Sequence, residues 1–284
     1  MNPGIYNISE QEHRSLISYP SISELNLLDR APIIYKHQIL DGNKSKSSKA
    51  QEEGTLIHLC ILEHDKFLKK VKPLPNGVDF RLKKFADLKE QIELEKQDGI
   101  FHVKQYEFDK YLEIRDAVLK ISFAKDLLEE GAAEKTVIFD EESTGVRCRG
   151  RLDSCSIPGN FILDIKTTVD AKNFLKSVVD YKYHKQAAFY LDGFDSVTAP
   201  NEKPQEFYWI AVEKEAPYLC ALYKASPEML RIGRIEYRRQ VELYKRCFMA
   251  DSWPGISESV FTLDLPEWYS KRFAEIETIK NGEK

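Results

Sequence analysis

The five cysteines, Cys60, Cys148, Cys155, Cys220 and Cys247, include no C-x-x-C pair, so paired-cysteine zinc and redox motifs are excluded. No basic, apolar and small-residue leader pattern opens the sequence, and the expectation is a reduced, cytoplasmic protein. Long apolar runs are missing as well. The densest, Leu56 to Leu62, falls far short of the roughly 20 residues that a bilayer crossing takes, so no membrane partner is expected. A Walker-type phosphate loop is absent, which excludes a fused helicase motor. The chain also lacks an excess of one charge: 31% of its residues are charged, yet the net is -4, and any contact with nucleic acid must use a local basic patch. What is present is core. With 42% hydrophobic residues over 284 positions, the sequence is read as a single domain spanning 1–284 and not as a disordered chain.

The first half, about residues 21–130, patterns as helices. Ser21 precedes apolar residues at helical spacing up to Asp29, and Pro32 interrupts them. A polar, cationic stretch over 42–49 predicts a loop carrying Lys44, Lys46 and Lys49. The run from Ala50 to Phe67 predicts a buried helix that bears His58, followed after Pro73 and Pro75 by amphipathic helices over 81–97 and 104–128. From Gly131 the pattern changes. Residues 136–139, 146–156 and 161–166 are β-rich and separated by turn residues, predicting three consecutive antiparallel strands. Helical spacing over 171–193 precedes two more strands, 206–212 and 218–223, around a turn at 215–217. Helices are predicted over 227–249 and 266–279. The resulting fold class is α/β, a central mixed sheet flanked by helices, with sheet core and C-terminal helices over about 131–284.

The chemistry concentrates in Gly150-Arg-Leu-Asp153 and Asp164-Ile-Lys166-Thr-Thr168, joined by a turn at Pro158-Gly159. Residues two apart on a strand share a face, so Asp164 and Lys166 project together while Ile165 enters the apolar side. A hairpin brings Asp153 beside them. Two converging carboxylates repel, and a bound divalent cation offsets that repulsion; hard oxygen donors favour magnesium, with manganese next. An exposed Asp164–Lys166 pair on a strand edge is the competing reading. Against it, Phe161-Ile-Leu163 leads directly into Asp164, as in a buried strand that delivers polar groups at its end.

These residues carry a resemblance to the PD-(D/E)XK nucleases, and within their RecB-like branch to the RecE exonuclease (exonuclease VIII) family. Its pattern of G-x-x-D, D-[IY]-K-[TS] and Q-x-x-x-Y is met by Gly150/Asp153, Asp164/Lys166/Thr167 and Gln186/Tyr190. A histidine pattern on an upstream helix is matched by Gly54-Thr-Leu-Ile-His58, and 180–193, Trp253-Pro254 and Leu265-Pro-Glu-Trp268 are similar to RecE-type sequence. The resemblance runs from Ser21 to the C-terminus. It implies a metal-dependent exonuclease that degrades linear double-stranded DNA from 5′ ends in a bacterial or phage-infected cell. It also implies a ring-like homo-oligomer, trimeric or tetrameric, and a single-strand annealing partner in recombination.

By the same resemblance Asp153 and Asp164 bind one or two magnesium ions with His58, the Ile165 carbonyl and a glutamate on the preceding strand. Glu134 is the candidate for that glutamate, with Glu141 or Glu142 as alternatives. Lys166 activates the attacking water. Taken alone, His58 reads as a core histidine, and Gln186 and Tyr190, one turn apart, as packing residues; the resemblance makes them a ligand and residues that position DNA or brace the site. Lys172, Lys176, Lys182, His184 and Lys185, interleaved with Tyr181 and Tyr183, form either a solvated face or a phosphate contact. The tight C-terminal cysteine triplet of cluster-bearing relatives is absent, so no iron-sulfur cluster is expected.

Overall fold

The computed structural model describes residues 1–43, 48–75, 77–78, 81–156, 160–199, 206–257, 259–271 and 273. Its strands are β1 (Gly4–Tyr6), β2 (Val71–Leu74), β3 (Phe101–Lys104), β4 (Ala132–Asp140), β5 (Arg147–Ser156), β6 (Phe161–Thr168), β7 (Glu206–Glu213) and β8 (Cys220–Lys224). The helices of the first half are α1 (Glu10–Ser15), α2 (Ile22–Leu25), α3 (Pro32–Tyr35), α4 (Lys49–Leu62), α5 (His64–Lys70), α6 (Ala86–Gln97), α7 (Gln105–Leu119) and α8 (Ser122–Glu130). The second half adds α9 (Phe174–Asp180), α10 (Tyr183–Asp195) and α11 (Pro227–Ala250).

Six strands make the central sheet in the order β1-β4-β5-β6-β7-β8. The predicted antiparallel trio is there as β4, β5 and β6. β6 and β7 pair in parallel, because α9 and α10 carry the chain back across one face before β7 begins. The two-residue period of the strands then sorts their side chains between layers. Ile162, Phe207, Trp209 and Ala211 pack with Phe189 of α10 and Tyr237 and Val241 of α11. Their neighbours in sequence, Phe161, Leu163, Ile165, Tyr208, Ile210 and Val212, pack on the opposite face with Ile57 of α4, Phe67 of α5, Ile114 of α7 and Leu127 of α8. The fold is therefore α/β, a central, mostly antiparallel sheet between helical layers.

Several predicted elements are divided. The helix expected over 50–67 breaks at Glu63, where ψ turns to 60°, giving α4 and α5. The helix expected over 104–128 breaks at the extended Ile121, and the helical region over 171–193 breaks at Lys182, whose φ is +61°. Apolar spacing continues through each break, so the pattern alone does not reveal it. Pro32 opens α3 at its first position instead of only ending a helix, since its missing N–H costs nothing there. β1, β2 and β3 have no local signature: they are three or four residues long and are held by remote partners. Lys44, Lys46, Pro158, Gly159 and residues 274–279 of the predicted last helix lie outside the described residues. Among the described residues no helix is long and apolar enough to cross a membrane.

α1 packs on the sheet through His13, which is buried with its Nδ1 3.1 Å from Thr136 Oγ1 on β4. Burial, reinforced by Arg149 and Arg151, moves this imidazole from 6.5 down to about 4. The fold thus prefers neutral His13. Its contribution to stability is complete above pH 6.5 and is lost as pH falls toward 4, about 3 kcal/mol over that window. Urea unfolding at pH 7 and pH 4.5 is expected to show a smaller acid loss for His13→Gln than for the parent; equal losses would place the acid sensitivity elsewhere.

Candidate metal centre

The ladder between β5 and β6 is short. It pairs Ser156 with Phe161, Cys155 with Ile162 and Ser154 with Leu163, and stops before Asp153 and Asp164. Beyond that point the Asp153 side chain replaces a backbone acceptor: Ile165 N–H donates to Asp153 Oδ2 at 2.7 Å. The strands part around two carboxylates, and the motif residues separated along the chain meet there. From the helical layer, α4 delivers His58, whose Nδ1 lies 3.3 Å from the same Asp153 oxygen. Gly54, one turn earlier, faces the end of β6, with Thr167 Oγ1 3.9 Å from where a Cβ would stand.

Asp164 is buried, and its Oδ2 lies 2.7 Å from Lys166 Nζ. The approach is off the line a hydrogen bond needs, which leaves that buried oxygen without a well-directed donor among the described residues. Burial, with the negative charge of Asp153, raises the Asp164 carboxyl to about 6 even though Lys166 opposes the shift. Burial acts on Asp153 in the same sense, but His58, Lys166 and the Ile165 N–H together outweigh it and lower its pKa. The partners move up: burial disfavours the charged forms of His58 and Lys166, and the adjacent carboxylates overcome it in both. Lys166 is therefore a fixed cation. Its Nζ also stands 4.6 Å from the centre of the Tyr183 ring.

Glu134 occupies the β4 position opposite Asp153, between the pairs Ala133–Ser154 and Lys135–Leu152, in a left-handed conformation with φ +56°. Its carboxylate takes a 2.5 Å hydrogen bond from Arg151 Nε, and burial followed by the charge of Asp153 raises its pKa. It is thus close enough to sense the centre while engaged by an arginine. Glu141 and Glu142 lie beyond the end of β4, where Glu141 accepts hydrogen bonds from Ser143 and Thr144. Tyr190, on α10, presses its ring on Gly150: a Cβ there would meet Tyr190 Cδ1 and Cε1 at 3.0 Å, a physical reason for glycine in G-x-x-D. Gln186 Nε2 donates to Tyr190 Oη at 3.1 Å, so these two brace one another under the sheet.

Lys182 is the left-handed residue at the start of α10 and is partly exposed. Lys185 is buried, its ammonium 2.7 Å from Asp29 Oδ2, and is turned away from any phosphate that approaches from solvent. Ile165 contributes its N–H to Asp153, while its side chain fills the core on the other face. Two pairings are not legible in the sequence: Tyr183, singled out there only beside the cations of 172–185, stands over Lys166, and Arg151 engages Glu134. Both arise from contacts between strands or across a helix break, and neither belongs to a local period.

Among the described residues, no three His, Cys, Asp or Glu side chains are already grouped as a metal cage. The donor set nevertheless fits a hard divalent cation. It offers the buried Asp164 carboxylate, one oxygen of which has no well-directed donor, and the partly buried Asp153 carboxylate beside the His58 imidazole.

Among solved structures the chain is similar to a candidate exonuclease of Eubacterium rectale, at 15% identity and a TM-score of 0.59, covering 92% of this chain and 97% of that one. That likeness is one of fold. Weaker likenesses are to SSO0001, at 13% identity and a TM-score of 0.29 with 67% and 85% covered, and to LHK-Exo in complex with dAMP, at 10% and 0.24 with 85% and 99% covered. No curated protein matches the chain. Residues 21–265, which contain every motif of the centre, match a family described as a PDDEXK-like domain of unknown function (DUF3799), and the chain belongs to that family.

Proposed function

We propose that the protein is a divalent-metal-dependent exodeoxyribonuclease of the RecE type, which degrades linear double-stranded DNA from the 5′ end and leaves a 3′ single strand. The observation that carries this reading is the parting of β5 and β6 around Asp153 and Asp164, with Lys166 as a fixed cation beside an undirected carboxylate oxygen. Asp153, Asp164 and His58, with the Ile165 carbonyl and Glu134, would hold magnesium, or manganese in its place, and the bound cation supplies charge neutralisation at the phosphate. Lys166, whose Nζ stands 2.7 Å from Asp164 Oδ2, is placed to activate the attacking water and to stabilise negative charge developing at the phosphate. Asp153 is held by the Ile165 N–H, and Tyr190, wedged on Gly150 and tied to Gln186, keeps the sheet from shifting beneath the centre. The RecE-type reading includes a ring-like trimer or tetramer and a single-strand annealing partner.

The test is degradation of a linear duplex labelled at its 5′ or its 3′ end, with magnesium or with chelator, beside a circular control. Loss that requires metal and starts at 5′ ends, with the circle intact, is the expected result. Cutting of the circle would make the protein an endonuclease, and binding without any cleavage would make it a catalytically silent DNA-binding module.

A further inference from the structure

The surface that follows the catalytic strand is unusually apolar for one open to water. Val169 is 96% exposed just after β6, and Leu175 and Val179, one turn apart on α9, are 64% and 52% exposed. Thr168 Oγ1, 3.3 Å from Ser177 Oγ, ties that helix to the end of β6. Tyr181 follows directly and is 65% exposed. Its ring stacks on Tyr183 with centroids 5.6 Å apart and planes 28° from parallel, an alignment that the left-handed Lys182 between them permits. Tyr183 is in turn the ring over Lys166. Tyr183 also stacks on the buried Phe174, with centroids 5.9 Å apart, so the exposed Tyr181 is linked through one anchored ring to the lysine of the metal centre.

We propose that Tyr181 is a stacking platform for one unpaired nucleobase of a DNA strand end, with Lys172, Lys176 and Lys182 facing the phosphates around it. The inference rests on the nuclease reading and adds the state of the substrate: a nucleotide freed from its duplex partner. An aromatic ring covered on one side and open on the other accepts any base, because every base has a π face, and the strand is anionic where the ledge is cationic. Three lysines, Lys172, Lys176 and Lys182, stand in this stretch against two carboxylates, Asp170 and Asp180, which leaves it net cationic by one charge. A protein partner would use the valines and leucine but gains little from a ring stacked end-on toward a catalytic lysine.

The experiment measures binding of the full chain, carrying Asp164→Asn to prevent cutting, to a duplex with a four-nucleotide thymidine overhang and to the same duplex with four abasic sites. Both overhangs bear the same phosphates, so their difference isolates the bases. The expected result is about tenfold tighter binding of the thymidine overhang. Tyr181→Ala abolishes that preference, and Tyr181→Phe keeps it. Equal affinities in the Asp164→Asn protein, or a preference that survives Tyr181→Ala, would overturn the proposal. Cleavage by the unmodified chain is scored separately: cleavage without base preference removes the platform and leaves the nuclease, whereas a Tyr181-dependent preference without cleavage removes the nuclease and leaves the platform.

Discussion

Asp164→Asn is expected to lower metal-dependent cleavage on the order of a thousandfold, since one of two converging carboxylates is lost and with it several kcal/mol of charge stabilisation at the phosphate. DNA binding is expected to persist. The same substitution removes the repulsion between Asp153 and Asp164, and an amide can donate as well as accept inside the buried site. Without added metal the variant is therefore expected to be at least as stable as the parent. Paired measurements of cleavage and of thermal unfolding in chelator check both halves. Loss of cleavage with a clear fall in unfolding temperature would assign Asp164 a structural role and count against the catalytic one.

The second large effect concerns stability and lies on the same strand as Asp153. Arg149, 2% exposed, sends Nη2 to Glu24 Oε1 at 2.9 Å and Nη1 to the carbonyls of Leu16, at 2.8 Å, and Tyr19. Glu24 is itself buried. The guanidinium thereby clamps residues 16–24 onto β5, which also donates Arg149 N–H to the Pro20 carbonyl. Arg149→Met leaves a buried carboxylate and two carbonyls without their cation, and the expected loss is about 3–5 kcal/mol in urea unfolding at pH 7. Arg149→Met combined with Glu24→Leu is expected to lose less than the sum of the single variants, because the second change removes the stranded charge. Strict additivity would show that the pair does not act as a unit.

Much of the centre is legible in the sequence. Asp164 and Lys166 share a face because a strand repeats every two residues, and the hydrophobic lead-in of Phe161, Ile162 and Leu163 marks a strand buried on both sides. The start of α11 is likewise local: Ser226 Oγ accepts the Met229 N–H at 3.2 Å, and Pro227 sits where its missing N–H is harmless. The grouping of Gly150 and Asp153 with Gln186 and Tyr190 is what the family resemblance implies, and it does not say what each touches. Tyr190 packs against Gly150, on a strand remote from it in the chain, and carries Gln186 on its hydroxyl, an arrangement set by how α10 crosses the sheet.

Lys185 illustrates the limit. In sequence it belongs to a run of cations beside two tyrosines, and nothing nearby separates it from Lys182. The left-handed turn at Lys182 fixes the phase of α10, and that phase carries Lys185 inward to Asp29 while Tyr181 and Lys182 stay toward solvent. Nor does the period of a strand reveal that Asp153 leaves the ladder to bind the Ile165 N–H. By itself the sequence determined the longer strands, the helical regions and the kinds of donor available, because these follow from interactions over a few residues. Only the tertiary structure decided which carboxylate meets which cation and where the strands part, because those depend on register and crossing angles between segments far apart in the chain.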